Sequence, residues 1–285
     1  MIENYFTSEN YSERIIRIKG LDGTASYLIC GNQKTCLIDT GMGCGSLKNY
    51  INNKLNKTVD MVILTHGHLD HCGGVAEFVN VPIYLNEIDI PVANKHNVIE
   101  KRYAPFKDKG IGILEMQPNI NFSITRDLKD GDKFYLGDIT LQAIHTPGHT
   151  QGMMMILIKE ERTILFGDGC GVGVLLCTPD SSTVEEYKEM LEGLKKYEND
   201  YDKIIRNHGT CESQKDLLDN VIECCDLILQ RKDDKAEVYG AVPEKYKTND
   251  VYYAKAIDPN TLCRIDGKFG NVAYKEDRIF KNKSN

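Results

Sequence analysis

Long apolar runs, excess positive charge and closely paired cysteines are all missing from this chain, and each absence removes a class of function. No segment of the 285 residues approaches the roughly 20 consecutive apolar positions of a membrane span. The amino terminus, Met1-Ile2-Glu3-Asn4-Tyr5-Phe6, has neither a basic start nor an apolar stretch of signal-peptide length. A cytoplasmic protein without a membrane partner is therefore expected. The net charge is −7, and lysines interleave with acids, as where Lys188 to Lys196 alternate with Glu189, Glu192 and Glu198. Binding along a phosphate backbone needs a basic face, so no nucleic-acid partner is expected either. Apart from adjacent Cys224-Cys225, the ten cysteines are scattered singly, without the spacing of a zinc ribbon or an iron-sulfur site. They read as reduced, mostly buried thiols.

Histidine is scarce too, with seven in all, and its distribution is informative. Thr65-His66-Gly67-His68-Leu69-Asp70-His71-Cys72-Gly73-Gly74 places four potential metal ligands within six residues, directly after the apolar run Met61-Val62-Ile63-Leu64. A segment so rich in imidazole and carboxylate cannot form an ordinary core, because each buried donor and acceptor would need its own partner. A metal ion supplies those partners. Imidazole with carboxylate suits zinc, iron or manganese rather than calcium or magnesium; a solvated histidine-rich loop is the alternative.

Three further motifs follow apolar, β-branched runs in the same way. Ile139 to Ile144 precede His145-Thr146-Pro147-Gly148-His149-Thr150, Thr163 to Phe166 precede Gly167-Asp168-Gly169, and Lys203 to Ile205 precede Asn207-His208-Gly209. Polar residues placed repeatedly at the ends of buried strands read as an active site on one edge of a sheet. The remaining elements agree with an α/β fold of two βα halves. Runs at Arg14–Ile18, Ser26–Cys30 and Thr35–Ile38 predict antiparallel strands ended by the turn Asp39-Thr40-Gly41-Met42-Gly43, and Val81–Leu85 predicts another strand. Ser46 is placed to cap a helix through about Asn56, Gly73 to Val79 to continue as a helix, and Thr183 to cap a helix to about Tyr197. A third clear helix is expected from about Glu212 to Arg231. Pro91 to Pro118 has the composition of a loop or lid, with His96, Arg102, Tyr103 and Phe106. After Asp233, Tyr239, Tyr246, Tyr252 and Tyr253 fit either a pocket or an oligomer contact such as a homodimer, or the packing of a peripheral subdomain, ahead of a hairpin near Asp266-Gly267.

The ordered blocks Leu37-Ile38-Asp39-Thr40-Gly41, Thr65 to Gly74, Thr146 to Thr150, Phe166-Gly167-Asp168 and Asn207-His208-Gly209 resemble the metallo-β-lactamase superfamily, and within it the hydrolases similar to glyoxalase II. The resemblance covers about residues 25 to 210. It implies an αββα sandwich over residues 1–232, with 233–285 as a small C-terminal extension packed on the same domain. It also implies two divalent metal ions, with zinc first and iron or manganese as alternatives. His66, His68 and His149 would hold one ion; Asp70, His71 and His208 would hold the other; Asp168 would bridge them; Asp39 would support the metal-binding loop. His145 and His96 have no ligand counterpart and read as loop-packing or supporting histidines. Cys72 and Cys170 lie inside ligand-bearing loops, where a small side chain tolerated by tight packing is the simpler reading than a reactive thiol.

On that pattern a metal-bridging hydroxide attacks the carbonyl of an ester, thioester or lactone, a small-molecule substrate, while Asp70 orients the nucleophile and passes a proton toward the leaving group. Gly169, Gly171 and Gly173 suit either substrate approach to the backbone or a tight turn with positive φ. Glyoxalase II itself has a glycine, cysteine and arginine signature after its bridging aspartate, whereas this chain reads Asp168-Gly169-Cys170-Gly171-Val172-Gly173, which argues against glutathione thioesters. Quorum-quenching lactonases place a tyrosine where this chain has Gly171, and β-lactamases of the related classes lack the bridging aspartate. A phosphodiesterase of the same fold, an iron-dependent redox enzyme similar to a persulfide dioxygenase, and a non-enzymatic binding protein are the other readings.

Overall fold

The apolar runs pair into two sheets in the computed structural model, which describes residues 5–238, 242–258 and 263–281. Seven strands form the first sheet in chain order: β1 (Phe6–Asn10), β2 (Ile15–Gly20), β3 (Ala25–Cys30), β4 (Thr35–Ile38), β5 (Met61–Ile63), β6 (Ile83–Leu85) and β7 (Arg126–Asp127). β1 to β4 pair antiparallel; β4 to β7 pair parallel. β8 (Lys133–Tyr135), β9 (Thr140–His145), β10 (Met154–Ile158) and β11 (Thr163–Leu165) begin the second sheet, β12 (Val174–Leu176) leaves it, and β13 (Lys203–Ile205) and β14 (Glu212–Ser213) complete it in the order β14-β13-β11-β10-β9-β8.

Alternation along the strands sorts the core into layers. Tyr27, Ile38 and Ile63 face Leu141, Met154, Ile156 and Leu165 between the sheets. Their strand neighbours Leu28, Leu37 and Val62 point the other way, under α1 (Leu47–Lys54) and residues 69–78. On the far side, α5 (Val184–Leu194) and α6 (Leu217–Leu229) cover the second sheet through Tyr187, Leu191, Leu218 and Val221. β10 is buried along its whole length because sheet and helices cover its two faces. The result is the expected αββα sandwich.

Several element bounds differ from the sequence expectation, each for a local reason. Ser46 caps α1 by accepting from the Asn49 amide at 3.1 Å, but the helix ends at Lys54 because Asn56 turns left-handed. No helix runs from Gly73 to Val79. Instead α2 (Leu69–Cys72) stops at Gly73-Gly74, and a 3₁₀ turn takes over at Val75–Phe78. Both glycines are pressed against the Thr40–Met42 backbone, where an added Cβ would lie 2.4 Å from the Met42 carbonyl oxygen or 2.5 Å from that of Thr40. The last long helix starts at Leu217 rather than near Glu212, since Glu212 pairs with Ile205 as edge strand β14.

Residues 91–118 are not a loop. They contain most of α3 (Ile90–His96), α4 (Ile99–Tyr103) and two 3₁₀ turns, anchored by the fully buried Arg102. Its guanidinium donates to the carbonyls of Met42, Gly73 and Gln117 at 3.2, 3.0 and 2.6 Å, which ties this segment to the turn after β4. The C-terminal stretch forms a hairpin of β15 (Val251–Tyr253) and β16 (Val272–Lys275), and β16 also pairs parallel with β12. Asp266-Gly267 makes a turn within the connection rather than at the hairpin tip, with Gly267 at φ 79°. Tyr253 is buried beside Cys177 and Val251, and Tyr252 packs on Tyr274; Tyr239 lies outside the described residues. Among the described residues no helix is long and apolar enough to cross a membrane.

The layered packing predicts a contrast between two leucines. Leu191→Ala, in the α5 core, should lower stability by about 2–5 kcal/mol in urea titration, whereas Leu114→Ala, at a residue 96 % exposed, should change it by about 0.5 kcal/mol or less.

Candidate metal centre

Five strand ends converge where the sheets meet. Asp39 follows β4, Thr65 and His66 follow β5, His149 follows β9, Asp168 follows β11, and Asn207-His208 follow β13. All seven candidate ligands named from the sequence come together there. His66, His68 and His149 form one group; Asp70, His71 and His208 form another; His66, His71 and Asp168 form a third, with the ligand atoms within each group less than 4.8 Å apart. His145 stays outside, its Nε2 2.8 Å from the Gln151 carbonyl, as a loop-packing residue.

The hydrogen bonds decide which nitrogens carry lone pairs. Thr65 Oγ1 gives its single proton to Asp39, so it accepts from His66 Nδ1–H at 3.1 Å and leaves His66 Nε2 bare. His149 Nδ1 donates to the Leu175 carbonyl at 3.1 Å, which leaves its Nε2 bare as well. Both lone pairs point at His68 Nδ1, from 3.1 and 2.9 Å, and that atom has a proton for at most one of them. A surplus of lone pairs in a buried site fits a cation.

The second group has a surplus of negative charge. His71 donates Nδ1–H to Asp39 at 2.9 Å, which turns its Nε2 toward Asp168 at 3.4 Å and Asp70 at 3.7 Å. His208 Nε2 lies 3.3 Å from each of the same carboxylates. Asp168 Oδ2 is also 3.8 Å from His149 Nε2, so one carboxylate oxygen touches both groups. Burial opposes charge on all of these residues, but the groups then separate. In the second, the carboxylates outweigh burial, raising His71 and lifting His208 to about 10 while the imidazoliums hold Asp70 and Asp168 well below the usual carboxylate range. In the first, burial and neighbouring imidazoles hold His66 and His68 neutral. The residues present therefore fit two cations sharing Asp168: an imidazole trio on one side and a carboxylate-rich set on the other.

Surrounding residues hold this arrangement. Asp39, fully buried, accepts from the Thr65 amide at 2.8 Å, from the Thr65 hydroxyl, from His71 and from Asn207 Nδ2 at 2.9 Å. Asn207 was not singled out from the sequence, although its place beside His208 marked it. His96 belongs to this neighbourhood as well: its ring centroid lies 5.0 Å from that of His68 and its Nε2 3.7 Å from Asp180. No sequence spacing connects His96 with Asp180, which the fold brings together from α3 and the segment before α5. Cys72 and Cys170 are fully buried, and burial pushes both thiols up, so they remain protonated packing groups. Gly169, Gly171 and Gly173 have no left-handed φ, so a strained turn does not explain them.

A family model described as the metallo-beta-lactamase superfamily matches residues 20–201, more than half of the chain. The chain belongs to that superfamily. An atrochrysone carboxyl ACP thioesterase of Cryptosporiopsis sp. (strain 8999) is 28% identical over 170 residues, covering 56% of this chain and 44% of its own length. A lactamase-like protein of Neosartorya fischeri is 30% identical over 196 residues, covering 64% of this chain and 51% of its own. The chain thus spans about half the length of the curated relatives it matches. Among solved structures, the sec-alkylsulfatase Pisa1 from Pseudomonas sp. superposes with a TM-score of 0.62 at 16% identity, over 79% of this chain and 42% of that one. A metallo-beta-lactamase from Pontibacter korlensis superposes with a TM-score of 0.57 at 16% identity, over 76% and 97%. These two likenesses concern the fold alone.

The protonation pattern predicts linked proton release. His208, lifted to about 10, holds its proton at pH 8 in the metal-free protein, and His71 is raised in the same direction, so a cation must displace protons here. Zinc titration in dilute buffer at pH 8 should acidify the solution, and apparent affinity should rise with pH. Binding without proton release would contradict the assignment of these two histidines.

Proposed function

We propose that this chain is a metal-dependent hydrolase acting on an ester, thioester or lactone carbonyl of a small-molecule acyl compound, with thioesters foremost. One observation carries the reading: two groups of candidate ligands share Asp168, and seven donors are more than a single tetrahedral or octahedral ion uses. Three or four protein ligands per ion leave positions open for water and substrate, the mark of a catalytic site. Two divalent cations, proposed to be zinc, with iron or manganese as alternatives, supply Lewis acidity toward a carbonyl oxygen and bring the ionisation of water near neutrality.

The chain's own residues account for the remaining roles. Asp70, kept ionised by His71 and His208, is placed to orient the attacking water through Oδ2 and to take its proton. Cys72 and Cys170 are buried and protonated, which leaves no thiol nucleophile at the centre and favours direct attack by water. A cavity of about 530 Å³ is lined by Cys177, Thr178, Lys245, Tyr246 and Arg278, among others. Its size suits an acyl or thiol portion of a substrate. Ser181 links Thr178 of that lining, hydroxyl to hydroxyl at 2.8 Å, with the His149 carbonyl at 3.2 Å. The thioester preference is supported by the relative named as an ACP thioesterase.

A panel of aryl esters, thioesters, lactones, bis-aryl phosphodiesters and cyclic nucleotides tests the reading. The highest kcat/KM is expected among the carbonyl substrates, and Asp70→Asn should lower it by about two to four orders of magnitude. Phosphodiester turnover tenfold above every carbonyl substrate would replace this function with phosphodiester hydrolysis. Oxygen consumption with a persulfide, confined to the iron form, would replace it with redox chemistry.

A further inference from the structure

Asp39 is not the only buried carboxylate that ties candidate ligand loops together. Asp89, at the end of the 3₁₀ turn Glu87–Asp89 that leads into α3, has no exposed surface and no cationic partner among the described residues. Its Oδ2 accepts from the Gly67 amide at 2.8 Å and from the Thr150 hydroxyl at 2.7 Å, and its Oδ1 accepts from the Gly152 amide at 2.8 Å. Gly67 separates His66 from His68, and Thr150 follows His149 directly. One side chain therefore grips both loops that supply the imidazole trio.

The surrounding packing is built around that grip. A Cβ at Gly152 would lie 2.7 Å from Asp89 Cγ, and one at Gly67 would lie 2.7 Å from the Asp89 carbonyl oxygen and the Ala93 amide. Only glycine lets the two backbones approach so closely. All three contacts are donors facing the carboxylate, an arrangement an ionised aspartate accepts in full and a neutral amide cannot. Asp39 plays the matching part on the other side, where it holds His71 directly and His208 through Asn207.

We propose that Asp89 is a positioning residue that presets the His66, His68 and His149 trio for a cation, while Asp39 holds the group of Asp70, His71 and His208 and, through Thr65, also His66. Asp89 thus bears on one half of the centre, whereas Asp39 bears on both. The inference rests on the two-cation reading, and its test separates the two.

Zinc content after dialysis against graded chelator, measured by elemental analysis, is compared for the unchanged protein, Asp89→Asn and Thr150→Val, each alone and combined with His208→Ala. Asp89→Asn is expected to keep one ion where the unchanged protein keeps two, the affinity of the lost site falling about 10- to 100-fold. Combined with His208→Ala it should keep less than one. Thr150→Val removes a single donor and should give a smaller loss at the same site, a readout that stands even if Asp89→Asn fails to fold. Leu191→Ala, destabilised in the helix layer, should retain both ions, which separates positioning from general softening. Unchanged zinc retention in both Asp89→Asn and Thr150→Val overturns the inference, as does equal loss of both ions. An unchanged protein that holds at most one ion overturns the two-cation reading itself, and this inference with it.

Discussion

The Asp39 carboxylate, sealed from solvent where the two sheets meet, is the interaction on which the centre depends. It sits in a left-handed conformation, φ 60°, immediately after β4, and its oxygens receive donors from Thr65 on the first sheet and Asn207 on the second as well as from His71. A buried carboxylate is costly unless each lone pair is matched, so these partners cannot drift without leaving charge unpaired. The same bonds turn the free nitrogens of His66 and His71 inward. Sheet packing and ligand orientation are therefore one problem with one solution. Reciprocal bonds between Ala25 and Asn207, at 2.8 and 2.6 Å, clamp the sheets at the same point.

The acidic balance of the whole chain and the charge of its centre act on different scales. Surface acids are solvated and paired with lysines, whereas Asp70 and Asp168 converge on the same His71 and His208 nitrogens. There the charges are matched by His71 and His208 when no cation is present, and the carboxylates lift those imidazoles as the imidazoles depress the carboxylates. His66 and His68, by contrast, are held neutral by burial and by the imidazoles around them. Metal affinity should thus respond to pH on one side of Asp168 much more than on the other.

The C-terminal stretch and the segment from α3 onward bound the centre without supplying the candidate ligands. β16 pairs with β12 only a few residues after Asp168, which keeps the extension against the segment holding His149. Arg102 ties the helical segment to the turn after Asp39. Variation in either place can reshape the approach to the centre while the strand ends stay where they are.

Strands β2 to β6, β9, β11 and β13, the capped helices at Ser46 and Thr183, and all seven candidate ligands were legible in the sequence. Alternation, capping chemistry and dense histidine motifs are local properties that need no knowledge of distant residues. The Gly73-Gly74 break, the edge pairing of Glu212 and the helical nature of residues 91–118 were not legible. Each is decided by a contact with a remote part of the chain: the Thr40–Met42 backbone, β13 and the carbonyls that Arg102 reaches. Asp89, His96 and Asp180 belong to the same class. Nothing near them in the chain distinguishes Asp89 from a surface acid or His96 from a loop histidine. Their roles exist only once strand order has placed the loops after β5 and β9 side by side, because hydrogen bonds are set by distance in space, and sequence spacing predicts that distance only within an element.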